Sequence, residues 1–267
     1  MIQHFVRGRS TRRFFTHPAR RFFLTVISII IPTLNEETSI RKTLESLMRT
    51  DGRFEILVTD GKSDDSTKAI ASKFCRVVTS PRGRGLQMNC GASVARGDVL
   101  LFLHADTVFP PNGIRAIERI MENPLIIGGN FDIHYEGGKF SSHVFTLINR
   151  WRRRFGIFYG DSGIFVRREV FDRLGGFQPL PLMEDYDFAR KLVKAGKTVC
   201  LSESLLVSAR RWEEHGLIRT LSSWLFIHVF YYLGLRVDFL TRFYPHIRKS
   251  HVRGETIGCK KISEEKY

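Results

Sequence analysis

Four strand-like runs, each followed by a helical spacing of apolar residues, restrict what this chain can fold into. "TVISIIIP" (residues 25–32) is a continuous apolar run ended by proline, the pattern of a strand buried on both faces. Ile40, Leu44 and Leu47 follow at helical spacing. "FEILVTD" (54–60) is a second strand, and Ile70 and Phe74 mark a second helix. Residues 76–79 form a short third strand before a helix over 86–95. "DVLLFLHAD" (98–106) is a fourth strand, and Pro110 opens a helix to about Asn123. Such alternation predicts a parallel sheet with helices on both faces. Ligands of such sheets bind beyond the carboxyl ends of the strands. Those ends carry Asn35 and Glu36, then Asp60 with Asp64 and Asp65, then His104 and Asp106. Polar groups thus converge on one edge.

The second half is less regular. "LIIGGNFDIHY" reads as a strand, and residues 140–154 read as a helix with a basic end. "GIFVRREVFDRLGGF" reads as a strand, a short helix and a glycine stop, and "KTVCLSES" as a further strand. No internal repeat or low-complexity linker separates the halves, so residues 25–216 are expected to form one domain. Before it, residues 1–24 hold six arginines and no acid. They read as a disordered basic tail, with a membrane-surface or organelle-targeting segment as the competing reading. Residues 217–244 are expected to form an apolar helical segment and 245–267 a basic tail. Between Arg219 and Arg236 sixteen residues carry no formal charge, against the roughly 20 of a spanning helix. A docked helix and an interfacial helix, which Trp224, Phe226, Phe230, Tyr231 and Tyr232 suit, are both open.

The formal charge of +15 favours anionic partners without choosing among nucleotides, nucleic acid and acidic membranes. The four cysteines are far apart with no CxxC pair, which argues against structural zinc and for a reducing, cytoplasmic setting.

Several stretches carry chemistry. In "VTDGKSDDST", Asp65 is read as a helix cap, whereas Asp60 closes the strand itself and is placed to meet a base or ribose. "SPRGRGLQMNCGA" joins glycines that admit close backbone approach to arginines that pair with phosphate. It is neither a Walker loop nor GxGxxG, because Met88 stands where the third glycine belongs. In "LLFLHADT", His104 and Asp106 at i and i+2 of an extended segment would face one ligand, and the carboxylate suits Mg²⁺ or Mn²⁺ beside a diphosphate. In "PLMEDYDFARKL", a helix starting at Glu184 and running to about Ala195 puts Asp187 in phase with Lys191 and Lys194, with Glu184 leading that row toward water. Asp185 instead shares the face of Phe188, Ala189 and Leu192, and an inward carboxylate is a candidate general base. "SARRWEEHG" sets Arg211 beside the flat face of Trp212.

In order, "SIIIPTLNEE", "VTDGKSDDS", "GRGLQMNCGA", "FLHADT", "GDSGIFVRR", "MEDYDF" and "RRW" resemble the motifs of the family 2 inverting glycosyltransferases of GT-A fold. Among these the chain is similar to the short bacterial-type enzymes. The resemblance implies an α/β fold of GT-A type, with a mostly parallel nucleotide-binding sheet flanked by helices. It implies an enzyme that moves a sugar from a nucleoside-diphosphate sugar to an acceptor hydroxyl with inversion, using Mn²⁺ or Mg²⁺. By position, Asp60 matches the contact to the nucleotide base, and Pro32, Asn35 and Glu36 the first nucleotide-binding loop. Arg84 matches a basic position near the diphosphate, and Asp106 the last Asp of the DxD motif. Asp185 matches the catalytic base, Asp161 with Gly160 the start of the acceptor side, and Arg211 and Trp212 the RW near diphosphate and acceptor. His104 replaces the first Asp of DxD, and a neutral imidazole suits Mn²⁺ better than Mg²⁺. Lys62 replaces the usual glycine before Ser63, and Arg210 stands directly before Arg211 where a Gln is common nearby.

Two other classes compete. A sugar nucleotidyltransferase would carry a glycine-rich signature near the first strand, where "PTLNEE" stands instead. A non-catalytic basic protein binding membrane or RNA would leave the acids at successive strand ends without a purpose, so no specific nucleic acid is expected as a partner. A peripheral membrane contact, and through it a lipid or membrane-associated acceptor, follows from the apolar tail and the basic surface.

Overall fold

The computed structural model describes residues 26–136, 146–147, 160–208, 222, 226–231 and 233. The basic N-terminal extension, the helix expected over 140–154 apart from residues 146–147, which are helical, Arg211, Trp212 and the basic C-terminal tail lie outside the described residues.

Eight strands form one sheet in the order β3-β2-β1-β4-β7-β6-β8-β5. The first four are β1 (Ile27–Thr33), β2 (Phe54–Asp60), β3 (Arg76–Thr79) and β4 (Val99–Phe102). All pairings among these four are parallel, in the crossover pattern that alternating strands and helices dictate. The remaining strands are β5 (Thr107–Val108), β6 (Ile126–Tyr135), β7 (Ile164–Arg167) and β8 (Lys197–Val207). The sheet is mostly parallel, as expected, but its second half mixes directions. β7 runs antiparallel to both β4 and β6, β5 antiparallel to β8, and only β6 and β8 pair in parallel. The reason lies in the connections, since the simple strand–helix repeat that forces parallel crossovers stops after β4.

Helices cover both faces, as the alternation predicted. On one side α1 (Ile40–Met48), α2 (Thr67–Ala71) and α4 (Gly113–Met121) pack Leu44, Ala71, Ile114 and Ile117 against Ile29, Ile31, Val58 and Leu101. On the other, α3 (Arg84–Val94), α5 (Arg168–Arg173) and α6 (Glu184–Ala195) pack Met88, Phe171, Phe188 and Leu192 against Ile30, Leu57, Leu100 and Phe102. Successive residues of β1 and β4 therefore feed opposite cores, which is why these strands are apolar throughout. The expected glycine stop follows α5, with Gly175 and Gly176 at φ 76° and 65°.

The second core ends in an aromatic cluster below the start of α6. Phe177 lies 4.7 Å from Phe102, edge to face, and 4.6 Å from Phe188. Phe171 touches Phe102, Phe177 and Phe188. Such pairs add to the energy of burial, and they fix the first turn of α6 over the end of β4. Within the apolar C-terminal segment, residues 226–231 are helical. Ile227 there is buried against Met183 and Tyr186 with Tyr231 beside it. Among the described residues, no helix is long and apolar enough to cross a membrane.

Phe188 is fully buried. Phe188→Ala is expected to cost about 3–5 kcal/mol, the usual range for emptying an aromatic site in a core. The midpoint and slope of denaturant unfolding would measure it.

Candidate active site

β1 and β2 end in register, with Thr33 opposite Asp60. Past that point both chains turn, and side chains replace the ladder. Asp60 is buried and organises its own turn. Its Oδ1 accepts the Ser63 hydroxyl at 2.6 Å and the Thr33 hydroxyl at 3.2 Å, and its Oδ2 accepts the Ser63 N–H at 3.0 Å. Across the cleft the Asn35 N–H donates to Ser63 Oγ at 2.9 Å, and the Asp64 N–H donates to Asn35 Oδ1 at 2.9 Å. Asn35 and Lys62 both adopt left-handed backbone, φ 55° and 63°. Pro32 is half-buried between Ile31 and the buried Thr33 at the end of β1, and the Glu36 N–H donates to Thr67 Oγ1 at 2.7 Å. Asp65 acts at the start of α2 as expected, accepting the Thr67 N–H at 2.9 Å.

Gln87, which sequence reasoning did not single out, joins this floor to α3. Its buried amide donates to the carbonyls of Thr33 at 2.7 Å and Thr59 at 2.9 Å. Asn89 also escaped notice. Its amide pairs reciprocally with the backbone of Phe177, donating to the carbonyl at 2.8 Å and accepting the N–H at 2.9 Å. Both lie in the glycine- and arginine-rich stretch, and polar residues on an otherwise buried helix are the signal that points to them.

β4 ends at Phe102, so His104 and Asp106 sit in the turn before β5 and not on an extended strand. They still share an environment. The negative charges of Asp106, Asp161 and Asp185 all act on His104. Even so, burial and the neighbouring Arg84 guanidinium push the His104 imidazole below its usual range and favour the neutral ring.

The opening of α6 needs the largest correction. Glu184 does not face water with the lysines. It is 2% exposed, and its carboxylate accepts the Arg84 Nε–H. Asp187 keeps the expected pair with Lys191, at 2.7 Å. Asp185, 7% exposed, turns inward as its phase with Phe188 requires. Its Oδ2 accepts Arg84 Nη2 at 3.1 Å and the Gly160 N–H at 2.9 Å, and its Oδ1 accepts the Tyr186 N–H at 2.7 Å. Burial alone would raise the Asp185 carboxyl, but Arg84, the Gly160 N–H, His104 and the Tyr186 N–H outweigh it and hold it low. For Glu184 burial wins over Arg84 and the carboxyl is raised. Arg84 Nη1 also lies 3.4 Å from His104 Nε2. Four sequence-predicted residues, Arg84, His104, Asp185 and Asp161 with its neighbour Gly160, thus come together with Glu184. A side chain at 160 would not fit, because a Cβ there would stand 2.8 Å from Asp185 Oδ2. Asp161 accepts the Tyr135 hydroxyl at 3.0 Å on Oδ2, while its Oδ1 is buried with no hydrogen-bond partner among the described residues.

Such a donor set fits a divalent cation shared with an anionic ligand. One neutral imidazole and one carboxylate from the same turn supply too few ligands alone, and no cluster of three or more candidate ligands occurs among the described residues. Ligand oxygens would complete the shell, and an imidazole ligand would suit Mn²⁺ better than Mg²⁺.

A sheet with its polar groups gathered beyond the ends of β1, β2 and β4, and helices on both faces, has the GT-A architecture. The family model for Glycosyl transferase family 2 matches residues 28–175, more than half of the chain, and the chain belongs to that family. An uncharacterized glycosyltransferase of Haemophilus influenzae is 28% identical over 190 residues, 63% of this chain and 62% of that protein. The undecaprenyl-phosphate 4-deoxy-4-formamido-L-arabinose transferase of Pseudomonas syringae pv. syringae is 30% identical over 155 residues, covering 53% of this chain and 46% of that one. The chain thus spans less than two thirds of either relative. Among solved structures, Staphylococcus aureus TarS 1-349 in complex with UDP-GlcNAc superposes with a TM-score of 0.58 at 19% identity, covering 69% of this chain and 58% of that one. The mannosyltransferase PcManGT of Pyrobaculum calidifontis with GDP-Man and Mn²⁺ gives 0.54 at 18%, covering 69% and 57%.

Among the described residues, Arg84 is the counter-charge to two buried carboxylates. Arg84→Ala is expected to lower stability at neutral pH by about 1–3 kcal/mol. Without the cation both acids gain by protonation, while the wild type loses its Arg84–Asp185 attraction as Asp185 protonates. The gap should therefore close as pH falls from the ordinary carboxylate range, about 4, through the lower range in which the wild-type Asp185 takes up its proton. Thermal unfolding of both proteins across pH would read it.

Proposed function

We propose that this chain is an inverting glycosyltransferase that moves a sugar, of hexose type, from a nucleoside-diphosphate sugar to an acceptor hydroxyl. One observation carries the reading: of the two buried carboxylates that open α6, Glu184 is held by Arg84 Nε, and Asp185 is the one that meets Gly160 at the strand-end cleft. Inversion by one displacement needs one base. Asp185 takes the proton of the acceptor hydroxyl, whose oxygen attacks the anomeric carbon. The bond from that carbon to the diphosphate oxygen breaks, and the nucleoside diphosphate leaves with the electron pair. Its growing charge meets Arg84 at the N-terminus of α3. Asp60 with Pro32, Asn35 and Glu36 forms the nucleotide side of the cleft, and Asp161 the acceptor side. Arg211 and Trp212 are assigned to diphosphate and acceptor by family position alone. His104 and Asp106 would hold Mn²⁺ or Mg²⁺, which supplies charge neutralisation at the diphosphate.

The solved relatives support a nucleotide-sugar donor, since their complexes contain UDP-GlcNAc and GDP-Man. A hydroxyl acceptor suits the buried base, because a hydroxyl must lose a proton. A lipid or membrane-associated acceptor is supported by the undecaprenyl-phosphate transferases among the relatives. With it goes a cytoplasmic protein in peripheral contact with the membrane.

Asp185→Asn should abolish transfer while leaving UDP or GDP binding within about twofold. A donor screen reading release of UDP or GDP, paired with nucleotide titration, tests this, and turnover at the wild-type rate would refute the assignment. His104→Asp should move metal preference from Mn²⁺ toward Mg²⁺, since Mg²⁺ favours oxygen ligands. Nucleotide affinity measured with each ion in turn would show the reversal, and an unchanged preference would remove His104 from the metal site.

A further inference from the structure

We propose that Glu184 is a positioning residue that serves as the pivot of Arg84, letting the guanidinium cover Asp185 before a donor binds and pass to the donor diphosphate once one has bound. The proposal rests on the reading of this cleft as a sugar-nucleotide site.

Asp185 is not free to act as a base in the geometry described. Its two oxygens accept three donors, from Gly160, Tyr186 and Arg84. The first two are backbone N–H groups, one fixed in the short 3₁₀ turn Gly160–Ser162 and one in the first turn of α6. Arg84 is the side chain of the three and so the one that can withdraw. Its side chain is 36% exposed, whereas that of Glu184 is 2% exposed. If Arg84 left altogether, it would strand a buried carboxylate, which is costly. Withdrawal is therefore limited to the Nη end, with Nε–H kept on Glu184.

A guanidinium is suited to this division and an ammonium is not. Its donors form a rigid planar fork, so one edge can hold a carboxylate while another meets a phosphate. Arg84 opens α3 directly after Gly83, and Gly85 packs under the Gln178 carbonyl with Glu184 beside it. The backbone at both ends of the bridge is thus fixed, and the remaining freedom lies in the guanidinium. An anionic diphosphate arriving at this helix start competes for Nη2 and uncovers Asp185 Oδ2. Donor binding then precedes productive acceptor binding. This assigns Glu184 a purpose that its place beside the base does not by itself explain.

Two measurements test the pivot. In the wild-type protein, the Arg84 Nε–H should give a slowly exchanging ¹H–¹⁵N signal, identified by its loss in Arg84→Lys. The signal should persist on addition of UDP or GDP with Mn²⁺ while the guanidinium Nη resonances shift. Loss of the Nε–H signal on nucleotide binding, or binding that leaves every arginine resonance in place, overturns the proposal. The second measurement is a cycle of Glu184→Gln, Arg84→Lys and the double variant, read as affinity for whichever nucleotide the wild type binds. Each single change should weaken binding about tenfold, and the double variant should match Arg84→Lys, because Glu184 acts through Arg84. Wild-type affinity in Glu184→Gln, or losses that multiply, also overturns it. Should Glu184→Gln unfold below the assay temperature, the wild-type spectra decide. A wild-type protein that binds neither nucleotide sinks the glycosyltransferase reading and this one together; normal wild-type binding with an unaffected Glu184→Gln sinks this one alone.

Discussion

Two carboxylates next to each other in sequence, both withdrawn from water, need a cation to share. That requirement, met by Arg84, is the constraint around which the site is arranged. Glu184 and Asp185 begin α6, and Arg84 begins α3, a hundred positions earlier. The bridge fixes the two helix starts on either side of one opening. Other contacts then act in the same direction: Asn89 grips the Phe177 backbone, and Phe177 packs on Phe188 one turn past Asp185. Gln87, one turn past Arg84, seats α3 on the carbonyls at the ends of β1 and β2. Charge pairing, aromatic packing and amide hydrogen bonds therefore locate the same few residues, each through a different partner. An error in one would be resisted by the others, which is what a preorganised site requires.

The side of the cleft proposed to take the nucleotide is built differently. There the backbone turns are held by short side chains of the turns themselves, with Asp60, Ser63, Asn35 and Thr67 as the principal partners. Asp60 spends both carboxylate oxygens on Thr33 and Ser63. Each oxygen still has lone pairs to offer, so the same group that shapes the turn can meet a ligand donor. Lys62 holds a left-handed conformation where a glycine would be at ease. The fold accepts that strain and gains a cation beside the turn.

Much of this was legible in the sequence, and the pattern of success has a physical basis. The apolar runs of β1, β2 and β4 and the helical phases of α1 and α6 are local signals, and the structure keeps them. The phase argument also placed Asp185 inward and paired Asp187 with Lys191, because both depend only on spacing along one helix. The same argument misplaced Glu184. Phase identifies the face a residue occupies, but not what another segment brings to that face, and Arg84 is distant in sequence. The mixed strand directions beyond β4 were likewise hidden, since the second half lacks the repeated strand–helix unit. The end of β4 at Phe102 moved His104 and Asp106 into a turn, yet their common environment survived, because a short turn also keeps residues two apart close together.

The chemistry of Asp185 as the proposed base follows from the balance between its neighbours. A carboxylate held by two backbone N–H groups and a guanidinium stays ionised but is a reluctant proton acceptor, since every donor that stabilises the charge weakens the base. In the proposed reaction both properties are wanted at different times. Ionisation is wanted before the acceptor arrives, and basicity when its hydroxyl is in place. Backbone donors from Gly160 and Tyr186 are permanent and secure the first. Arg84 is adjustable, and its transfer to the leaving diphosphate would raise the basicity of Asp185 while neutralising the charge that develops on the departing group. One guanidinium would then couple deprotonation of the acceptor to departure of the nucleotide, with Glu184 ensuring that it returns.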